Sequence, residues 1–173
     1  MSVAVLGAGA FGTALAAALA RDGAPVTLWG RDAAMMERIA RTRRNKAYLD
    51  TVTLPDNVTV TGAADEAVSE IALLAVPAQQ LTAFWRDFGA TSPATTVIAC
   101  AKGIDLETGL GPAAMIHSVD PDRHSGILTG PSFADELGRG LPTALTLAMT
   151  DAARAETVAR GLSRTGFRLY HTD

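Results

Sequence analysis

Short apolar runs rich in Val, Ile and Leu alternate along the chain with alanine-rich stretches of helical character. The runs Val3–Leu6, Val26–Trp29, Ile71–Val76, Thr96–Ala101, Gly126–Leu128 and Ala144–Ala148 predict strands, and Phe167–Tyr170 predicts one more. Their near-continuous hydrophobicity is that of strands buried on both faces, as in a mostly parallel sheet. Between them, Gly12–Asp22, Ala33–Arg41, Ala78–Asp87, Pro112–Ser118, Phe133–Arg139 and Asp151–Arg164 predict helices. Gly23 supplies a C-terminal stop for the first helix and Asp151 an N-cap for the last. Such alternation predicts an α/β fold on a doubly wound, mostly parallel sheet. The least regular stretch, from Arg41 to Asp56, reads as a long loop, and such loops often carry function. No linker, repeat or low-complexity tract divides the chain, so one domain over residues 1–173 is expected.

Composition narrows the class. The length of 173 residues suits one domain. Hydrophobic residues make up 48% and charged residues 19%, enough to bury a core and unlike a disordered tail, coiled coil or collagen-like rod. Fifteen basic against eighteen acidic side chains leave a net charge of -3, without the basic excess expected of a nucleic-acid binder. A single cysteine, Cys100, cannot form an internal disulfide. The apolar opening runs into a glycine-rich turn rather than a cleavage site, and no apolar run approaches the roughly 18 residues of a membrane span. A cytoplasmic domain without membrane insertion is expected.

The glycine-rich turn carries the first chemistry. Gly7-Ala8-Gly9-Ala10-Phe11-Gly12 follows a predicted strand and opens a predicted helix, the context in which Gly-x-Gly-x-x-Gly binds a dinucleotide. Gly7 permits the tight turn, Gly9 lets a pyrophosphate approach the backbone, and Gly12 lets helix and strand pack closely. Free N–H groups at the helix start, with the positive end of its dipole, then face the phosphates. The end of the second strand decides which dinucleotide. An NAD site usually has a carboxylate there for the ribose 2′-OH. Here Gly30 holds that position, and Arg31 offers a bidentate contact to the 2′-phosphate of NADP. Asp32 keeps NAD open, because a shift of one or two residues would restore an acid.

In such sheets ligands bind beyond the carboxyl ends of the strands. Pro77 ends one strand and would act sterically. Lys102 leaves another and is followed by Gly103. Lysine is scarce in this chain, with two against thirteen arginines, which favours a site role over a surface charge for Lys102. The third such end is Thr129-Gly130-Pro131-Ser132-Phe133-Ala134, where Ser132 either caps a helix or faces a ligand. Cys100 reads as core. His117, His124 and His171 have no metal-ligand spacing, so no metal is expected. Arg43 and Arg44 read as solvated loop charges.

Assembled in order, these motifs resemble bacterial-type NAD(P)-dependent glycerol-3-phosphate dehydrogenase. The resemblance rests on Gly7 to Ala16, Leu28-Trp29-Gly30-Arg31, Asn45 with Tyr48-Leu49, Ala75-Val76-Pro77-Ala78-Gln79, Ala101-Lys102-Gly103-Ile104, Gly130 to Leu137 and Gly140 to Ala144. It covers nearly the whole chain. It implies a Rossmann-like domain and reversible hydride transfer between NADPH, or NADH, and the dihydroxyacetone phosphate/sn-glycerol 3-phosphate pair, supplying phospholipid synthesis. By motif, Ala10, Phe11, Arg31, Tyr48, Lys102 and Ala134 would touch the cofactor. Lys102, Gly130 and Ser132 would touch the substrate, with Lys102 stabilising charge on the C2 oxygen. Asp50 departs from the family pattern, where proline commonly follows Tyr-Leu.

The family continues into a helical substrate domain with a Gly-Ala-x-Lys-Asn motif, whose lysine accepts the proton, and an arginine for the substrate phosphate. Neither motif occurs in these residues. The resemblance therefore implies a cofactor-binding domain that binds nucleotide but turns over slowly or not at all, from a full-length enzyme expected to be a homodimer. Two rival readings stand beside it. One is another two-domain NADP dehydrogenase, of the ketopantoate reductase or hydroxyacid type. The other is a non-catalytic dinucleotide-sensing module.

Overall fold

The computed structural model describes residues 1–164 and 166–172. Along the chain run β1 (Val3–Leu6), α1 (Ala10–Ala20), β2 (Val26–Trp29), α2 (Ala33–Thr42), β3 (Arg44–Asn45), β4 (Leu49–Thr53) and β5 (Val58–Thr61). A short 3-10 turn (Ala64–Glu66) leads to β6 (Ile71–Leu74), α3 (Ala78–Gly89), β7 (Thr96–Ala99) and α4 (Pro112–Val119). Then come β8 (His124–Thr129), α5 (Ala134–Arg139), β9 (Thr143–Met149), α6 (Ala152–Leu162) and β10 (Phe167–Thr172).

Eight of these strands form one sheet in the order β10-β9-β8-β7-β6-β1-β2-β5. From β5 to β8 every pairing is parallel; β9 runs antiparallel to β8, and β10 follows β9. The chain winds outward from β1 through β2 to β5, then restarts at β6 on the other side. A crevice therefore opens between the carboxyl ends of β1 and β6, the topological switch point where such sheets bind ligands. This is a Rossmann-like, doubly wound fold.

Successive residues of one strand enter different cores, as period-two geometry requires. Val3 and Val5 join a cluster with Leu73, Ile98, Leu15, Leu19 and Val158, on the face covered by α1 and α6. Ala4 and Leu6 join Leu74, Val97, Leu81, Trp85, Met115 and Ile116, beneath α3 and α4. Helix α1 is buried from Gly12 to Ala20 because the sheet, α5 and β4 enclose it, so its alanines are packing residues that let it lie close. Asp151 caps α6 by accepting from Arg154 N at 3.0 Å.

Two expectations are corrected and one strand is added. The stretch from Arg41 to Asp56 is not a loop: Arg41 and Thr42 end α2 and a β3–β4 hairpin follows, held because Leu49 and Val52 bury their side chains against α1 and α5. The run Val58–Thr61, too short and polar to stand out, is a strand because β2 offers it an edge. Arg43 is not a solvated charge: it adopts a left-handed conformation and its guanidinium donates to the carbonyls of Leu54, Pro55 and Val58, tying α2 to the hairpin's return.

Candidate functional site

The turn after β1 is shaped by what glycine leaves out. Gly7 has φ +121°, and a Cβ there would fall 2.4 Å from the carbonyl oxygen of Ala75, at the end of β6. A Cβ on Gly12 would lie 1.9 Å from the carbonyl oxygen of Gly7. Both positions are sterically closed. Gly9 differs: it is the N-cap of α1, and a Cβ there would meet nothing within 4 Å. The backbone is thus bare toward open space. No side chain caps α1, its first turn carries no acid, and no acceptor among the described residues takes the N–H of Gly9, Ala10 or Phe11. Unsatisfied donors at the positive end of a helix suit an anion.

Behind this turn lies Asn45, fully buried at the start of the hairpin. Its Nδ2 donates to the Ala8 carbonyl at 2.9 Å and to Thr13 Oγ1 at 2.7 Å, while its Oδ1 is buried without a donor among the described residues. The sequence singled it out only as part of a motif. A neutral amide among loop charges was the available signal, and its contact to residues some 30 positions away was not readable from spacing.

At the end of β2, Gly30 cannot be replaced by a carboxylate without displacement. A Cβ there would fall 2.5 Å from Met36 Sδ and 3.0 Å from Ala8 Cβ. Asp32 is occupied as the N-cap of α2, where its Oδ1 accepts from Met35 N at 2.9 Å. Arg31 stands exposed, and its guanidinium has no partner among the described residues. Of the two residues left open for the ribose, only the arginine is uncommitted.

On the other side of α1's N-terminus, the carboxyl ends of β7 and β8 close a cleft of about 340 Å³. Ala10, Phe11, Lys102, Gly130, Ser132 and Ala134 all line it, together with Cys100, Phe133 and Leu145. Residues from Ala10 to Leu145 thus converge on one cavity. Lys102 Nζ donates to the Gly130 carbonyl at 3.0 Å. Gly130 has φ +152°, and a Cβ there would press on Leu145. Ser132 does not cap α5; the N-cap is Phe133, and Ser132 Oγ is buried without a partner among the described residues. An orphaned buried hydroxyl beside a cationic side chain fits an anionic or carbonyl ligand.

Tyr48, Pro77 and Arg31 lie outside the lining of this cleft. Tyr48 sits 58% exposed at the hairpin tip, and Pro77 is the exposed N-cap of α3. Cys100 belongs to the core as expected and also to the cleft wall, where burial pushes its thiol up to about 12. Gln79, on the first turn of α3, donates to the Ile104 carbonyl at 2.8 Å and accepts from Leu106 N at 3.1 Å, bracing the loop after Lys102. No helix is long and apolar enough to cross a membrane.

Comparison with known proteins bears on what the cleft is for. Residues 2–155 match the family described as NAD-dependent glycerol-3-phosphate dehydrogenase N-terminus. A curated glycerol-3-phosphate dehydrogenase (NAD(P)+) of Paracoccus denitrificans is 50% identical over 99% of this chain and 53% of its own length. Its counterpart in Roseobacter denitrificans is 47% identical over 99% of this chain and 54% of its own length. Among solved structures, glycerol-3-phosphate dehydrogenase from Coxiella burnetii superposes with a TM-score of 0.89 at 26% identity, covering 99% of this chain and 54% of that one. The chain spans about half the length of the curated relatives it matches.

Proposed function

Because the chain belongs to the NAD-dependent glycerol-3-phosphate dehydrogenase family and matches its N-terminal region, we propose that residues 1–173 form an NAD(P)-binding domain of such an enzyme. Its reaction would move a hydride between NADPH, or NADH, and the dihydroxyacetone phosphate/sn-glycerol 3-phosphate pair. The observation that carries this reading is the cleft in which Lys102, tied to Gly130, and the unpartnered Ser132 hydroxyl meet Ala10 and Phe11 at the start of α1.

The residues present fit the cofactor. The open backbone at Gly9, with the free N–H groups of Gly9, Ala10 and Phe11, would hold the pyrophosphate. The uncommitted guanidinium of Arg31 would take a 2′-phosphate, which favours NADP over NAD. Tyr48, Pro77 and Ala134 would complete the contacts. When bound, the nicotinamide supplies or receives the hydride. Lys102 would stabilise negative charge on the substrate's C2 oxygen, and with Gly130 and Ser132 would orient the phosphate-bearing substrate at the mouth of the cleft. Lys102 is not assigned as general base. That role, with a cation for the substrate phosphate, would belong to the part of the relatives' length that this chain does not span, and the chain alone would then bind nucleotide and turn over little. We further propose that the whole enzyme is a cytoplasmic homodimer that supplies glycerol 3-phosphate for phospholipid synthesis.

The test is a fluorescence titration of this chain with NADPH and NADH at matched salt. Saturable binding of both, tighter for NADPH, is the expected result. Binding of neither would overturn the reading, and tighter NADH binding would move the ribose contact to Asp32.

A further inference from the structure

We infer that Asn45 is a positioning residue for the dinucleotide, aiming the backbone of the phosphate turn from behind; this rests on the reading of that turn as a dinucleotide site. Asn45 arrives from the β3–β4 hairpin, outside the β1–α1 unit, and is fully buried. Its amide makes two contacts, both with that unit: Nδ2 donates to the Ala8 carbonyl at 2.9 Å and to Thr13 Oγ1 at 2.7 Å.

The consequence follows from peptide geometry. A trans peptide is planar, with its C=O and N–H pointing in opposite directions. Ala8 O and Gly9 N belong to one such plane. Drawing the Ala8 carbonyl inward onto Asn45 therefore turns the Gly9 N–H outward, and that N–H has no acceptor among the described residues. The second contact fixes the first turn of α1 in the same frame, because Thr13 also closes the first helical hydrogen bond, from its N to the Gly9 carbonyl at 3.0 Å. One side chain thus sets the directions of the donor at the cap and of the helix behind it.

Two features separate this from a purely structural bond. Asn45 Oδ1 is buried without a donor among the described residues, so part of the amide's hydrogen-bonding capacity is not used by the fold. Its contacts also fall on Ala8 and Thr13, the buried residues that flank the Gly9–Phe11 donors, rather than on the hairpin's own core, where Leu49 and Val52 pack. Preorganised donors bind an anion better than donors that must be reoriented on binding.

The effect belongs to the shared pyrophosphate, so it should not distinguish the two cofactors. Asn45→Ala and Thr13→Val are titrated with NADPH and NADH, beside the unaltered chain, well below their melting temperatures. About tenfold weaker binding of both nucleotides is expected for each variant, with equal factors for NADPH and NADH. Thr13→Ser, which keeps the hydroxyl, should bind like the unaltered chain. Should Asn45→Ala fail to fold, Thr13→Val against Thr13→Ser decides. Unchanged affinity in Thr13→Val, an equal loss in Thr13→Ser, or a loss confined to NADPH would overturn the inference. An unaltered chain that binds neither nucleotide would instead overturn the dinucleotide reading itself.

Discussion

Lys102 Nζ lies 3.0 Å from the carbonyl oxygen of Gly130, joining the carboxyl ends of β7 and β8 across the mouth of the cleft. The bond holds a flexible side chain in place without neutralising its charge, which leaves further ammonium hydrogens for a ligand oxygen.

In the whole enzyme, replacing Lys102 with Met should lower turnover by about a hundredfold or more, the range lost when a donor to a developing oxyanion is removed. Lys102→Arg should rescue little, since a planar guanidinium cannot reproduce a compact ammonium on the Gly130 carbonyl. Steady-state kinetics check this, and near-normal kcat in Lys102→Met would remove the residue from the site.

Arg31→Ala should weaken NADPH binding by about tenfold and leave NADH nearly unchanged if the exposed guanidinium, without a partner among the described residues, takes the proposed 2′-phosphate contact. The NADPH effect should shrink at high salt, since the contact is solvent-screened. Equal losses for both nucleotides, measured by titration, would refute the assignment.

The glycines of the phosphate turn should separate stability from binding. At Gly12 a Cβ would meet the Gly7 carbonyl at 1.9 Å, so Gly12→Ala should destabilise the fold by about 2 kcal/mol or more. At Gly9 there is open space, so Gly9→Ala should melt close to the unaltered chain while losing nucleotide affinity to the new methyl. Melting curves taken with and without NADPH distinguish the two; similar melting of both variants would contradict the packing described.

Burial keeps the Cys100 thiol protonated, its pKa moving from an ordinary 9.0 to about 12. The unfolded chain therefore releases this proton at lower pH than the folded one. The contribution to stability is complete below pH 9 and declines as pH rises toward 12. Native protein at pH 8 should resist iodoacetamide and become labelled in denaturant. Cys100→Ala should flatten the alkaline loss of stability; rapid labelling of the native protein would show the thiol to be accessible.

The order of strands and helices was legible because burial on both faces writes continuous apolar runs, and because glycine and small residues mark where backbone must approach backbone. The β1 and β2 boundaries and the Asp151 cap follow from such local signals, and the carboxyl-end rule drew attention to Lys102 and to the turn holding Gly130 and Ser132, while Ala10, Phe11 and Ala134 came from the family resemblance. The hairpin at Arg44–Thr53 and the edge strand Val58–Thr61 were not legible. Their residues are strand-like only against the partners that α1, α5 and β2 supply.

What the chain determines by itself is thus the alternating α/β order, the glycine turn and the identity of the residues at each strand end, since these depend on nearest neighbours and on period. Only the tertiary structure decides how the uncommitted groups are told from the committed ones. Asp32 and Arg31 are adjacent in sequence, yet one caps a helix and the other has no partner among the described residues. Ser132, equally open between capping and facing a ligand, is orphaned because Phe133 takes the N-cap position. Asn45 reaches Ala8 and Thr13 only once the hairpin folds back over the turn. Hydrogen-bond satisfaction is a property of three-dimensional neighbours, and no spacing along the chain encodes it.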